Sequence, residues 1–217
     1  METISSNRPK IVVIGSCNTD MVVKANRLPV PGETILGGTF YMNPGGKGAN
    51  QAIAAARLGA EVTFISKIGY DLFGLQALEI YRSEKINTEF IFTDQKSPSG
   101  VALISVDSFG ENSIIVAPGA SRSLSTEDIN KAEEKIKEAD IILMQLEVPI
   151  DTVEYAATIA NRYGKKIILN PAPASTLSNS FLNNVHTILP NRIEAEMLSG
   201  IKVMDICLLY TSPSPRD

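Results

Sequence analysis

Short, almost wholly apolar runs recur along this chain: residues 10–14, 62–65, 141–146 and 166–169. A run of that length with no polar alternation reads as a strand buried on both faces, as in a parallel sheet. Parallel neighbours need crossovers of a dozen or more residues, and helices usually supply them. Residues 72–84 and 150–163 read as helices. So does the stretch opening at Ser125-Thr126-Glu127-Asp128, where capping chemistry precedes the stripe Ile129, Ala132, Ile136 and Ala139. A strand over 89–92, a short strand over 187–189 and a helix over 192–198 complete the alternation. The order predicts an α/β fold with a mostly parallel sheet and helices on both faces.

Two strand pairs break that alternation. Residues 21–25 and 34–42 are separated by Pro29, Pro31 and Gly32; residues 100–106 and 113–117 flank Asp107-Ser108-Phe109-Gly110-Glu111. No helix lies within either pair. The four segments, within 19–42 and 100–117, are expected to form one small sheet standing off the main domain.

The stretch Asn43-Pro44-Gly45-Gly46-Lys47-Gly48-Ala49-Asn50-Gln51-Ala52 sets three glycines around a lysine before an alanine-rich helix, expected at about 49–58. Glycine permits a tight turn and close approach of backbone. The helix start directs free N–H groups and a positive dipole end at the turn, which suits oxygen-rich ligands. A turn that merely packs the helix closely on the sheet has the same composition. The spacing is neither G-x-x-x-x-G-K-[ST] nor G-x-G-x-x-G. Asn18, Asp20, Glu147 and Asn191 all fall just beyond predicted strand ends, the edge where open α/β sheets bind ligands. Asn18 and Asp20 are equally ordinary turn formers. Convergence of such groups with the glycine turn suits a polyol, which needs several polar contacts.

The wider pattern Gly45-Gly46, Asn50, Ala52, Gly59 and Gly69 resembles the N-terminal signature of the ribokinase family, also called the PfkB carbohydrate kinases. The similarity runs from about residue 10 to 205. It implies that Asn18, Thr19, Asp20, Gly46, Lys47, Gly48, Ala49, Asn50 and Glu147 bind the sugar. Met144-Gln145-Leu146-Glu147 resembles the segment whose glutamate holds ribose, and Asn170-Pro171-Ala172-Pro173-Ala174 is also ribokinase-like. Asn191-Arg192-Ile193-Glu194 fits the N-x-x-E motif, so Asn191 and Glu194 are implied to organise Mg²⁺ and phosphate oxygens without a direct metal ligand. Arg192 stands where an acidic residue is usual. The implied activity is ATP-dependent phosphorylation of D-ribose at O5, with ATP, Mg²⁺ and K⁺. The small sheet is implied to be a lid over the sugar, through which the full-length protein forms a homodimer. Other readings are a different sugar or nucleoside kinase of the family, or a non-catalytic sugar-binding module.

The family's general base lies in a G-A-G-D segment, which this sequence does not contain, so no catalytic residue is assigned and the 217-residue chain is expected to be inactive. The implied domain covers 1–205. Residues 206–217, with Pro213 and Pro215, resemble translated adapter read-through and are expected to lie outside the fold as a non-native or disordered tail.

Composition agrees. A formal net charge of −4 gives no reason to expect nucleic acid or an anionic membrane as partner. The single histidine, His186, excludes a His-based triad or a multi-His metal site, and reads as a structural residue at a strand start. Two cysteines, Cys17 and Cys207, form no metal or disulfide pattern and fit a reducing, cytoplasmic setting. No stretch is long enough to span a bilayer, and residues 1–10 lack a signal-peptide core.

Overall fold

A computed structural model describes residues 8–203. The expectations for residues 206–217 lie outside the described residues. In chain order the elements are β1 (Lys10–Ile14), β2 (Asn18–Lys24), β3 (Thr39–Gly45), α1 (Lys47–Arg57), β4 (Glu61–Gly69), α2 (Leu72–Ser83), β5 (Ile91–Asp94), β6 (Gly100–Val106) and β7 (Asn112–Ala117). A 3₁₀ turn (Gly119–Ser123) leads to α3 (Thr126–Lys131), α4 (Glu133–Glu138), β8 (Ile141–Met144), α5 (Ile150–Arg162), β9 (Lys166–Leu169), α6 (Asn179–Leu182), β10 (Thr187–Ile188) and α7 (Arg192–Ser199).

The main sheet runs β10-β9-β8-β1-β4-β5, and every pairing in it is parallel. Alternation along β1 divides the core. Val13 faces α1 and α2, packing with Phe64, Ala52 and Tyr81. Val12 and Ile14 face the other layer, where Ile129, Ile136, Val153, Ala156 and Phe181 cover Ile142, Met144 and Ile167. Alanines dominate the buried stripe of α1 (Ala49, Ala52 and Ala55), which brings that helix close to the sheet. His186 closes the β9–β10 junction: its backbone N–H donates to Ile167 O, and its Nδ1 accepts from Ile167 N.

The second sheet, β3-β2-β6-β7, stands apart from the first. Its central strand β2 pairs antiparallel with β3 and parallel with β6. Its two faces leave Val23, Phe40, Tyr41, Met42, Leu103, Ile114, Ile115 and Val116 exposed. Polar links tie its roots to the main sheet. Asp71, the N-cap of α2, accepts from Gly74 N at 2.9 Å and from Ser99 N and Oγ at 2.7 Å each. Ser121 Oγ accepts from Cys17 N at 3.2 Å and donates to Cys17 O at 3.3 Å.

Several boundaries differ from the sequence expectations: the strand expected over 89–92 lies at Ile91–Asp94, and that expected over 62–65 extends to Glu61–Gly69. The strand predicted over 21–25 begins at Asn18, because pairing on both sides holds polar residues extended that look like turn formers in isolation. The strand predicted over 34–42 lies at Thr39–Gly45, since Gly37 and Gly38 take φ values of +98° and +114° before it. The single helix expected after Ser125 is two, interrupted at Ala132 with φ −100° and ψ 5°; its apolar stripe nevertheless remains buried. Helix α1 begins at Lys47, two residues earlier than expected.

Candidate functional site

The early start of α1 reorganises the glycine turn. Gly46 is the N-cap, with φ +90°, and the first helical N–H groups point toward the turn between β1 and β2. Helix starts leave such donors unpaired unless something caps them. Here the caps come from distant chain. Lys47 N donates to Glu147 Oε2 at 2.9 Å, Gly48 N to Ser16 Oγ at 3.4 Å and Ala49 N to Ser16 O at 3.0 Å. The anion at this helix N-terminus is therefore the protein's own Glu147 carboxylate, which also offsets the unfavourable placement of a lysine at the dipole's positive end. Lys47 Nζ donates to Glu147 Oε1 at 2.8 Å, and Ser16 Oγ donates to Oε2 at 2.5 Å. Burial opposes the charge on Glu147. The donors from Lys47 and Ser16 outweigh it and hold the carboxyl below the usual glutamate range.

Gly48 is required by this packing. A Cβ there would stand 2.7 Å from Gly15 C, Ser16 N and Ser16 O, all backbone atoms that cannot swing aside. We expect Gly48→Ala to destabilise the fold by about 1–3 kcal/mol, the usual range for overpacking a tight contact. Urea unfolding measures it; a midpoint equal to wild type would mean that helix and turn separate freely.

Asn18 and Asp20 project from one face of β2. Asn18 is buried, its Oδ1 lies against Gly100 Cα, and that oxygen finds no hydrogen-bond partner among the described residues. Asp20 lies against Gly45, where any β-carbon would collide with the carboxylate. No donor among the described residues reaches that carboxylate. Burial first, then repulsion from Glu147, raises its pKa, and Lys47 offsets part of the rise. The arrangement leaves a partly buried acceptor beside a cation and a second carboxylate, a setting that accepts hydrogen bonds from neutral hydroxyls.

The structure thus brings together Asn18, Asp20, Gly46, Lys47, Gly48 and Glu147. Three other sequence candidates stand differently. Thr19 points to the opposite face of β2 and lines a cavity of about 240 Å³ with Met42, Pro44, Phe73 and Ile80. Ala49 is fully buried and its N–H is committed to Ser16. Asn50 is exposed on α1, and no side-chain partner for it is found among the described residues.

Asn191 and Glu194 sit beyond β10, three strands from β1, about 14 Å away at ordinary strand spacing. They form a capping box. Asn191 N and Nδ2 donate to the two Glu194 oxygens at 2.8 Å each, and Glu194 N donates to Asn191 Oδ1 at 2.9 Å. Glu194 is 5% exposed and committed to that cap. No group of three or more His, Cys, Asp or Glu suited to a metal occurs among the described residues.

Sequence reasoning gave Ser16 no role. It is 1% exposed and joins Glu147 to the helix start. Its signal was indirect: a small hydroxyl residue beside Gly15, where a Cβ would collide with Gln145, and facing Gly48.

Comparison with known proteins matches this geometry to a family. Residues 8–209 match the pfkB family carbohydrate kinase pattern. The ribokinase of Haemophilus influenzae is 45% identical over 198 residues, covering 91% of this chain and 65% of that protein. A deoxyribokinase of Salmonella typhi is 39% identical over 194 residues, covering 89% and 63%. The chain therefore spans slightly less than two thirds of these relatives. The structure of Arabidopsis thaliana ribokinase complexed with ribose and ATP superposes with a TM-score of 0.82 at 30% identity, covering 94% of this chain and 67% of that one. With a six-stranded parallel sheet, a separate four-stranded sheet and the Gly45–Ala52 turn all in the matched region, the chain belongs to the pfkB family of carbohydrate kinases.

Proposed function

We propose that this chain carries the sugar-binding part of a ribokinase, which transfers the γ-phosphoryl of ATP to O5 of D-ribose. The observation that carries the reading is Asp20: a half-buried carboxylate with no donor among the described residues, placed beside the Lys47–Glu147 ion pair. Sugar hydroxyls would donate to Asp20 and to the open side of Glu147 Oε1. Lys47 Nζ and the Asn18 amide would complete the set. Phosphoryl transfer depends chiefly on positioning and charge stabilisation, so fixing the acceptor hydroxyl is a substantial part of the task.

The relatives support ATP as the phosphoryl donor. Mg²⁺ and K⁺ belong to the proposal through the family resemblance alone; when bound they would neutralise phosphate charge and order the nucleotide site. Asn191 and Glu194 would act by fixing the start of α7. The four-stranded sheet is proposed as a lid over the sugar. Its exposed Tyr41, Ile114 and Val116 favour pairing with a second copy into a homodimer. No described helix is long and apolar enough to cross a membrane. A cytoplasmic setting, with no nucleic-acid or membrane partner, is part of the same proposal.

Calorimetric titration of this chain with D-ribose, without ATP, tests the reading, with saturable binding expected. Absence of heat up to tens of millimolar ribose would count against it. The similarity to a deoxyribokinase favours a second reading, a kinase for 2-deoxyribose. Parallel titration with 2-deoxyribose separates the two by which sugar binds more tightly.

A further inference from the structure

We propose that Ser16 positions Glu147 for hydroxyl recognition, a role that rests on the sugar-binding reading above. A carboxylate oxygen accepts about two hydrogen bonds in good geometry. Glu147 Oε2 has both: Ser16 Oγ at 2.5 Å and Lys47 N at 2.9 Å. Oε1 has only Lys47 Nζ, at 2.8 Å, and keeps one direction open. Ser16 thereby selects which oxygen is saturated inside the protein and which is left for a ligand.

Only a short hydroxyl side chain does this here. Ser16 Oγ donates to Glu147 while accepting from Gly48 N at 3.4 Å, so it bridges a carboxylate and a helix start. Alanine removes both links. Threonine adds a methyl where Gly48 already lies against the Ser16 backbone. The turn holding Ser16 joins β1 to β2, so the residue also connects Glu147, beyond β8, to the strand that carries Asn18 and Asp20. The charged groups facing Glu147 are Lys47 from α1 and Asp20 from β2.

The test compares wild type with Ser16→Ala by ¹³C NMR titration of the Glu147 carboxyl without sugar, together with ribose calorimetry. Loss of a donor to the charged form raises a carboxyl pKa. The expected result is that Glu147 titrates at higher pH in S16A and that ribose binds about tenfold more weakly, the effect of one hydrogen bond to a charged group. Ser16→Cys, which keeps the side chain small but offers a weak donor, should fall between the two and serves if S16A does not fold. A lower melting temperature with an unchanged Glu147 titration would overturn the proposal, leaving Ser16 a packing residue. If wild type binds no ribose, the proposed function fails, while the titration still decides whether Ser16 controls Glu147.

Discussion

Incubated with ATP, Mg²⁺ and D-ribose, the 217-residue chain is expected to turn over more slowly than about 10⁻² s⁻¹, against roughly 1–100 s⁻¹ for an ordinary kinase. A sugar hydroxyl is a weak nucleophile at neutral pH, and a positioned general base commonly contributes about 10²–10⁴-fold. The family resemblance places that base, and an anion hole worth about a further 10²–10³-fold, in a G-A-G-D segment that this sequence does not contain. The described carboxylates offer no substitute. Glu194 is locked in its capping box, and Glu147, held below the usual glutamate range by Lys47 and Ser16, is a weak base. Asp20 is proposed to hold hydroxyls. A coupled ADP-release assay compares this chain with one extended by a ribokinase C-terminal region. Ribose-dependent turnover near 1 s⁻¹ by the unextended chain would mean that one of these carboxylates serves as the base.

Replacing Asp20 by alanine is expected to weaken ribose binding by about 30–150-fold, or roughly 2–3 kcal/mol, the cost of losing charge-assisted hydrogen bonds. The fold should tolerate the change, because no hydrogen bond to this carboxylate occurs among the described residues and the strand stays paired on both sides. The same site carries a pH signature. Burial and the neighbouring Glu147 raise the Asp20 pKa, so it takes up its proton earlier on acidification than an ordinary aspartate. Wild-type ribose affinity should therefore fall as pH drops through that raised value, whereas Asp20→Ala should lose this component. Calorimetry across a pH series measures both, and equal ribose affinities for the two proteins at neutral pH would remove Asp20 from the site.

The main sheet was legible in the sequence because strands buried on both faces must be apolar throughout. Ile141–Met144 and Lys166–Leu169 have few other readings when helical periods separate them. The small sheet was legible as a break in that alternation. Its inner boundary was not, since Asn18, Thr19 and Asp20 have turn chemistry and only β3 and β6 beside them enforce the extended form. The site was readable to the same depth. Lys47 and Glu147 were candidates from the sequence, but their ion pair spans 100 residues of sequence and depends on β1 and β8 being neighbours. Ser16 was hidden for the same reason, because a serine in a turn has no local mark of the carboxylate it will meet. The short α6 was missed since its four residues are too few to show a period, although Ser178 caps it through Phe181 N.

The position of Asn18 and Asp20 on β2 has a mechanical consequence. Asp20 stands three residues beyond Cys17 and Lys24 seven, about 10 Å and 23 Å along an extended strand. If the small sheet swung by about 10° around the Gly15–Cys17 turn, its outer end would travel about 4 Å and Asp20 less than 2 Å, by the same strand dimensions. The sheet is a lever with its acceptors near the fulcrum. Outer positions such as Phe40, paired with Val23, lie on the long arm, where substitution alters what the sheet touches while the arrangement near Asp20 is nearly kept. Under the proposed function, changes at the outer end and changes in the hydroxyl-facing geometry could therefore accumulate separately within one four-stranded element.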